Sequence, residues 1–237
     1  MTERSARAEN SAGREAVRTA GRLSRLYLDS LRAADSVGAY RVAADALAAG
    51  MTVPQLYQHV ITPAMHEVGA LWEKGALTVA DEHLATALTH RVLAALRPPV
   101  RLEVESGAPS APSGRVMLAA IEGEQHALGL RMAADVAEEA GFEAIYLGAD
   151  VPTDDLMHAI SSLSPDRLVL GATMPELAPR LEGVAARVVS EHPGVGLIVG
   201  GQAASPGIGP GELVEDLEAL LEGLGGRVDG PPRTPAA

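Results

Sequence analysis

The chain has 237 residues, 47% of them hydrophobic, which is enough to fill one or two cores of ordinary domain size. It has no cysteine, and this excludes disulfides, thiolate metal sites and a thioether-linked chromophore. The net charge of -12 argues against a nucleic-acid-binding surface, and the sequence shows neither a membrane-length apolar run nor a signal-like start, so we expect a cytoplasmic protein with no membrane contact.

The first half of the chain predicts a four-helix bundle. Residues 1 to 16 are polar and aperiodic and are expected to be disordered, whereas residues 17 to 97 contain four segments with helical periodicity. An apolar stripe from Leu23 to Leu31 indicates the first helix. An alanine-rich segment from Tyr40 to Ala49 indicates the second, which ends at a glycine.

Two capping motifs mark the third and fourth helices of this bundle. The residues from Thr52 to Gln55 resemble a capping box, and the helix that they open has an apolar face that runs to Trp72. Pro63 is expected to kink this helix, because proline lacks a backbone donor and crowds the preceding turn. The residues from Thr78 to Asp81 cap the fourth helix.

The second half predicts an α/β fold behind a linker. Residues 98 to 113 are rich in Pro, Ser, Gly and Ala and indicate an interdomain linker, and residues 225 to 237 indicate a flexible tail. From 114 to 224, short apolar runs alternate with helix-length amphipathic segments, which is typical of a doubly wound parallel sheet of the flavodoxin or Rossmann-like kind. The strand candidates are 116–120, 143–147, 167–170 and 196–199.

A histidine flanked by an acid and a glycine follows the first predicted strand. In an open parallel sheet the loops at the carboxyl ends of the strands form the ligand site, and His126 lies on the first of these loops. A neutral imidazole is a good ligand for a metal such as cobalt, and Glu124 is placed to accept a hydrogen bond from its second nitrogen. Gly129 would let a ligand approach the helix backbone closely. Considered alone, these residues also fit a surface histidine at a helix start.

The segment from Glu124 to Gly129 resembles the Asp-x-His-x-x-Gly loop of base-off, histidine-on corrinoid proteins, with glutamate in place of aspartate. In that family the loop histidine is the lower axial ligand of cobalt. The resemblance to the cobalamin-binding Rossmann-like domain covers residues 114 to 222. It implies a cobalamin cofactor with His126 as its lower cobalt ligand and with Glu124 and Gly129 as cofactor-binding residues.

Three later loops extend the resemblance. Gly148 begins the segment Gly-Ala-Asp-Val-Pro after the second strand, and Gly200 with Gly201 follows the fourth strand, where family members make room for the displaced dimethylbenzimidazole tail. A tight turn alone would also explain that glycine pair. After the third strand the family has a serine that hydrogen-bonds the tail. Here that position is Gly171, which leaves Thr173 as the candidate for the polar contact.

Trp72 is followed, after nine residues, by Glu82 and His83. This spacing resembles that of CarH-like cobalamin photoreceptors, in which a helical bundle precedes the cobalamin-binding domain. The resemblance implies that the indole covers the adenosyl group above cobalt and that the Glu-His pair holds this group. An indole can pack on adenosine and exclude water, and a carboxylate can accept hydrogen bonds from ribose hydroxyls. The alternative is an ordinary core tryptophan and a solvated first helical turn.

The chain departs from that family at two points. The residue after the tryptophan is Glu73, where the best-known members have a histidine that ligates cobalt after light removes the adenosyl group. His83 is the nearest replacement as upper ligand after photolysis, whereas His59 and His66 fall off the apolar stripe and are expected to be exposed. The family's MerR-type DNA-binding domain has no counterpart in this sequence, so direct DNA binding is not expected.

We therefore expect a light-responsive adenosylcobalamin-binding signalling protein that is not an enzyme and that acts as a homo-oligomer or through a protein partner. Its cobalt–carbon bond would be weak and photolabile. One alternative is a corrinoid carrier subunit of a methyltransferase, which needs an open upper face; another is the cobalamin subunit of a mutase, which needs a separate barrel chain. A stand-alone photocobilin-like sensor would add a bilin such as biliverdin, bound non-covalently because the chain has no cysteine.

Overall fold

The structure is a computed structural model that describes residues 3–97, 112–207 and 209–225. The chain divides into two units, Met1–Pro109 and Ser110–Ala237. The predicted linker lies outside the described residues except at 112 and 113, and the predicted tail lies outside them from 226 onward. Within the described part of the chain, no helix combines the length and the apolar character needed to cross a membrane.

The first unit is built from helices, and the first of them starts earlier than the sequence predicts. The helices are α1 Glu3–Arg32, α2 Ser36–Ala48, α3 Val53–Leu56, α4 Thr62–Glu73 and α5 Val79–Leu96. α1 differs from the expectation because it extends through most of the segment predicted to be disordered. Glu, Arg and Ala are among the stronger helix formers, so local propensity favours a helix even where no apolar stripe is present.

A buried hydrogen bond links α1 to α5. Tyr27 is fully buried, and its hydroxyl donates to Thr89 Oγ1 over 3.3 Å. Burial raises the pKa of Tyr27 to about 12, although the hydrogen bond with Thr89 lowers it. The phenol is therefore neutral at physiological pH, and it satisfies its polar group without introducing charge into the core.

The third predicted helix runs from Val53 to Glu73 and contains a π-helical turn, Tyr57–Ile61, between α3 and α4. In this turn the N–H of Thr62 donates to the carbonyl of Tyr57. Pro63 follows directly; it lacks an N–H, and its ring would crowd the carbonyl four residues earlier in a regular helix. The structure thus has an irregularity of the π-bulge type where the sequence predicts a kink.

Both predicted helix caps are confirmed. The N–H of Gln55 donates to Thr52 Oγ1 (3.3 Å), and the N–H of Thr52 donates to Gln55 Oε1 (3.2 Å). The N–H of Asp81 donates to Thr78 Oγ1 (3.2 Å), and the Asp81 carboxylate accepts from the N–H of Thr78 (2.8 Å). The second box fixes the first turn of α5, which carries the predicted Glu-His pair.

The second unit is a five-stranded sheet with helices on both faces. Its strands are β1 Arg115–Ile121, β2 Glu143–Val151, β3 Arg167–Gly171, β4 Gly196–Gly200 and β5 Glu212–Val214. Its helices are α6 Leu128–Glu139, α7 Thr153–Leu163, α8 Ala178–Glu191 and α9 Leu217–Gly225. The strand order is β2-β1-β3-β4-β5, with parallel pairs, which confirms the predicted doubly wound fold. The sequence does not predict β5, because three residues carry no periodic pattern.

Strand β1 lies between two apolar layers. Met117, Ala119 and Ile121 pack with side chains of α7 and α8, while the intervening residues pack with side chains of α6 and α9. Because both faces of the sheet are covered, β1 is apolar at nearly every position rather than at alternate ones. The layers fix the direction in which the loop after β1 leaves the sheet.

Candidate functional site

The strand order places Glu124, His126 and Thr173 at a topological switch point of the sheet. β2 and β3 lie on opposite sides of β1, so the connections after β1 and after β3 leave toward different sides of the sheet. Open α/β sheets bind ligands outside the carboxyl ends of the strands at such a point. The loop after β1 carries Glu124 and His126, and the loop after β3 carries Thr173.

Glu124 joins these two loops. Its side chain is buried, with 0% of its surface exposed. Oε1 of its carboxylate accepts from the backbone N–H of His126 and lies 2.7 Å from the ring Nδ1 of the same residue. Oε2 accepts from the backbone N–H groups of Thr173 and Met174. The carboxylate therefore holds the histidine on one side and the exit of β3 on the other.

His126 presents its ring to solvent, with 61% of its side chain exposed. A carboxylate can only accept a hydrogen bond, so in a neutral imidazole at this position Nδ1 would carry the proton and Nε2 the lone pair that can bind a metal. A carboxylate behind a ligating imidazole fixes its tautomer and raises its basicity. This donor set fits one axial ligand to a metal whose equatorial positions belong to a macrocycle, as in a corrin.

Glu124 is ionised at neutral pH. Burial alone would raise the pKa of this carboxyl, but the hydrogen bonds from Thr173, His126 and Met174 together outweigh burial and hold the pKa below its ordinary value. The ionised form is the one that can accept from every donor around it. The hydrogen bonds therefore stabilise the ionised carboxylate, and the ionised carboxylate accepts all of these hydrogen bonds.

We expect Glu124→Gln to lower the free energy of unfolding at neutral pH. Because the folded pKa lies below the ordinary value of 4.5, the ionised carboxylate stabilises the fold above that pH, and this contribution is lost as the pH falls through the depressed folded pKa. In urea unfolding of the cofactor-free protein, the gap between wild type and variant should be widest near neutral pH and should close in acid. A gap that does not change with pH would contradict this assignment.

Three of the predicted cofactor-binding glycines differ in their surroundings. A Cβ at Gly129, in the first turn of α6, would meet nothing within 4 Å, so this turn permits the close approach that the sequence predicts. Gly148 has a φ of +86° and lies at a register shift between β1 and β2. A Cβ at Gly171 would make ordinary contact with Leu130 Cδ1 at 3.4 Å, so packing does not exclude the serine that the family has there.

Of the Gly200-Gly201 pair, Gly201 is required by the protein's own backbone and Gly200 is closely packed. Gly201 has a φ of +95°, and a Cβ there would lie 2.2 Å from the carbonyl oxygen of Ala172. A Cβ at Gly200 would lie 3.2 Å from Val214 Cγ2. Close packing at the exits of β3 and β4 therefore accounts for glycine at 201, as the tight-turn alternative expects, whereas a larger residue at 200 would need Val214 to shift by a few tenths of an ångström. Their contact with a cofactor tail stays a prediction, as does that of Thr173.

Trp72, Glu82 and His83 lie at one end of the helical unit, around the connection between α4 and α5. Trp72 is 46% exposed, so it is not an ordinary core residue. The ring Nδ1 of His83 lies 2.6 Å from Glu82 Oε2, and the hydroxyl of Thr86 donates to Glu82 Oε1 over 2.8 Å. These contacts fix the Glu82 carboxylate, while the His83 side chain is 74% exposed. The sequence also predicts exposure of two other histidines correctly, at positions 59 and 66.

Several contacts around the site are not predicted from the sequence. Thr86 and Met174 are two of the partners that the sequence does not single out. Asp150 belongs to the Gly-Ala-Asp-Val-Pro segment of the resemblance, but its contacts are not predicted: its carboxylate accepts from the N–H of Gly123 (2.7 Å) and from Gln125 Nε2 (2.9 Å), and these bonds lower its pKa. The signal for Asp150 is an acid at the end of a strand, but its partners come from a loop that only the sheet topology brings close.

Comparison with known proteins gives matches on both units. Residues 23–97 and residues 114–210 each match a family model described as a B12 binding domain. The HTH-type transcriptional repressor CarH of Myxococcus xanthus is 32% identical over 164 residues, which cover 68% of this chain and 51% of the repressor. Trimethylamine corrinoid protein 1 of Methanosarcina mazei is 29% identical over 147 residues, which cover 62% of this chain and 66% of that protein. The chain thus spans between half and two thirds of these relatives.

A solved structure supports the fold. The monomethylamine corrinoid protein of Methanosarcina barkeri has a TM-score of 0.67 at 20% identity, over 84% of this chain and 95% of that protein. This likeness agrees with the observed order of a helical region followed by a parallel sheet. It shows the fold alone, whereas the B12-binding domain match on each unit shows that both parts of the chain carry cobalamin-binding domains.

Proposed function

We propose that this chain is a light-responsive adenosylcobalamin-binding sensor without enzymatic turnover, in which loss of the adenosyl group changes domain packing or assembly. Bound adenosylcobalamin supplies a weak, photolabile cobalt–carbon bond. The observation that carries the proposal is Trp72. In a chain with 3% aromatic residues the single tryptophan is 46% exposed, and it lies at the bundle end that also carries the Glu82-His83 pair.

The side chains of the two units have separate roles in this proposal. His126, held by Glu124, would supply a ligand to cobalt. Trp72 packs on the adenosyl group and excludes water, because a flat indole matches a flat base. Glu82, fixed by Thr86 and by the ring of His83, accepts hydrogen bonds from hydroxyls of the ribose. When the adenosyl group is lost, the exposed imidazole of His83 is the candidate upper ligand.

The output that we propose is a change of assembly or of protein partner. The CarH repressor supports the sensing class, since it is 32% identical over 68% of this chain. That protein is a transcriptional repressor, a role that we do not extend to this chain, because a net charge of -12 opposes direct contact with nucleic acid. A packing switch between two states that bind the ligand differently is sufficient for such an output.

The second candidate is a corrinoid carrier subunit of a methyltransferase. It is favoured by the trimethylamine corrinoid protein, which is 29% identical over 62% of this chain. A carrier presents a small methyl group to a partner enzyme, and Trp72 with the Glu82-His83 pair would then have no adenosyl group to hold. The preference for adenosylcobalamin or methylcobalamin therefore separates the two candidates.

The proposal is tested by absorption spectra of protein loaded with adenosylcobalamin, recorded in the dark and after green light. We expect a histidine-on spectrum in the dark and a converted spectrum in the light, with cobalt retained on a desalting column. His83→Ala should change only the light product, whereas His90→Ala, a control at another exposed position of α5, should change neither spectrum. Uptake of methylcobalamin without uptake of adenosylcobalamin would contradict the sensor and support the carrier.

The same preparation tests for a second chromophore. A bilin such as biliverdin would be non-covalent, because the chain has no cysteine to form a thioether. If biliverdin binds, adding it to the loaded protein would give a red absorption band that stays with the protein on gel filtration and is lost when gel filtration follows denaturation. Absence of any band shift would restrict the proposal to cobalamin as the only chromophore.

A further inference from the structure

We infer that Asp150 is a positioning residue that sets the reach of His126 toward cobalt, an inference that rests on His126 being the lower ligand. The ring of His126 is 61% exposed, so packing around the ring does not determine where it lies. Its position depends instead on the Glu124 carboxylate beside Nδ1, on the backbone of the loop after β1 and on the groups that hold this loop. Asp150, near the end of β2, holds it from the edge of the sheet.

Asp150 makes hydrogen bonds to three consecutive residues of the loop. Its Oδ1 accepts from the N–H of Gly123 over 2.7 Å, and its Oδ2 accepts from Gln125 Nε2 over 2.9 Å. Its own N–H donates to the carbonyl oxygen of Glu124 over 2.8 Å. These three residues directly precede His126 in the chain, so a displacement of any of them is transmitted to the ligand.

The backbone of β2 is irregular where Asp150 lies. Ala119 of β1 pairs with Gly148, and Ile121 pairs with Val151, so β2 contains one residue more than β1 over this interval. Asp150 has a φ of +53°, a left-handed conformation that residues other than glycine rarely adopt. Such conformations persist where the surroundings hold them and cluster at functional sites, and bulges beside active sites re-aim side chains.

Tyr146 of β2 donates to the carbonyl of Ala127 over 3.2 Å, on the other side of His126, and further contacts of the loop come from other elements. None of these contacts holds the residues before His126 from the β2 side. The Glu124 carboxylate ties the loop to the exit of β3, and Arg180 Nη1 of α8 donates to the carbonyl of Glu122 over 2.8 Å. Asp150 supplies hydrogen bonds from the β2 side. Without them the segment from Gly123 to Gln125 keeps its hold on β3 but can shift toward solvent, and the His126 ring shifts with it.

Two substitutions separate the carboxylate from the backbone conformation. Asp150→Gly permits the left-handed conformation but removes both acceptor oxygens. Asp150→Asn also tolerates that conformation and keeps an acceptor for the N–H of Gly123, while its amide can pair with a flipped Gln125 side chain. If Asp150 matters only for its left-handed backbone conformation, Asp150→Gly should be harmless or stabilising, since glycine relieves the strain. A positioning role predicts loss of histidine ligation in Asp150→Gly and its rescue in Asp150→Asn.

The experiment uses the full chain labelled with 15N-histidine and loaded with cobalamin reduced to the Co(II) state. A protein imidazole then gives doublet nitrogen splitting in the electron paramagnetic resonance spectrum, whereas the cofactor's own 14N base gives a triplet. In Asp150→Gly we expect a smaller doublet fraction and a dissociation constant for adenosylcobalamin about tenfold higher, with an unchanged or raised melting temperature of the cofactor-free protein. Asp150→Asn should restore most of the doublet.

The outcomes distinguish the inference from the proposed function. A wild-type doublet that is retained in full by Asp150→Gly, at equal affinity, would overturn the positioning role and leave the cobalamin site intact. A wild type without any doublet would overturn the assignment of His126, and the inference with it. If Asp150→Gly does not fold, Gln125→Ala removes one of the same hydrogen bonds at an exposed side chain, and an undiminished doublet fraction in that variant would also overturn the inference.

Discussion

Replacing His126 by alanine is expected to abolish the histidine-on spectrum and to lower cobalamin affinity at least about tenfold, without unfolding the protein. The ring is 61% exposed, so its removal leaves no cavity in the core. The neighbouring residues on the loop offer no second imidazole. Glu124 keeps its hydrogen bonds to Thr173 and Met174 and remains anchored.

The loss of the ligand is measured by electron paramagnetic resonance of the Co(II) form and by calorimetry, with circular dichroism as the check on folding. His158→Ala is the matched control, because this exposed histidine lies on α7, outside the loop after β1. The control should retain both the nitrogen splitting and the affinity of the wild type. Equal affinity and identical spectra in wild type and His126→Ala would show that cobalt is not ligated by this residue.

Trp72→Ala is expected to remove most of a preference for adenosylcobalamin over methylcobalamin. The indole has nothing to cover when the upper ligand is a methyl group, so its contribution is specific to the adenosyl form. Aromatic side chains that become buried on binding typically contribute about 2 kcal/mol or more, which corresponds to a factor of roughly 30 in affinity. The exposed fraction of Trp72, 46%, leaves surface available for such a contact.

Calorimetry with both cobalamins gives the preference directly. Tyr40→Ala is the control, because this partly exposed aromatic residue lies on α2 of the same unit and belongs to neither α4 nor α5. We expect wild type and Tyr40→Ala to share the preference and Trp72→Ala to lack it. If wild type binds the two cobalamins equally, the carrier interpretation is favoured and the sensor is not.

Local signals in the sequence predict much of the fold and the core of the site. The capping residues at Thr52 and Thr78 have their partners three positions away, so the chain order alone defines them. Pro63 marks the π-helical turn for the same reason, since its missing N–H is a property of one residue. The contact between Glu124 and His126 also spans two positions, and the structure has it as the sequence predicts.

The remaining contacts depend on distant parts of the chain. Asp150 reaches the loop after β1 only because β2 pairs beside β1 with an irregular register. The N–H groups of Thr173 and Met174 reach Glu124 because β3 lies on the other side of β1. Every residue except proline has a backbone N–H, so the residue types do not predict which of these groups will donate to a side chain. The sequence therefore predicts the ligand and its nearest acceptor but not the groups that hold them.

On the proposed function, light acts through the adenosyl group to change packing or assembly. Size-exclusion chromatography with small-angle scattering tests it on protein loaded with adenosylcobalamin, kept dark or exposed to green light, with methylcobalamin-loaded protein as the control. We predict that the elution volume or the radius of gyration differs between dark and lit samples. The methylcobalamin-loaded protein lacks the adenosyl group from the start, so its elution volume and radius of gyration should differ from those of the dark adenosylcobalamin-loaded protein. Identical dark and lit profiles, with photolysis confirmed by absorption in the same samples, would contradict a light switch.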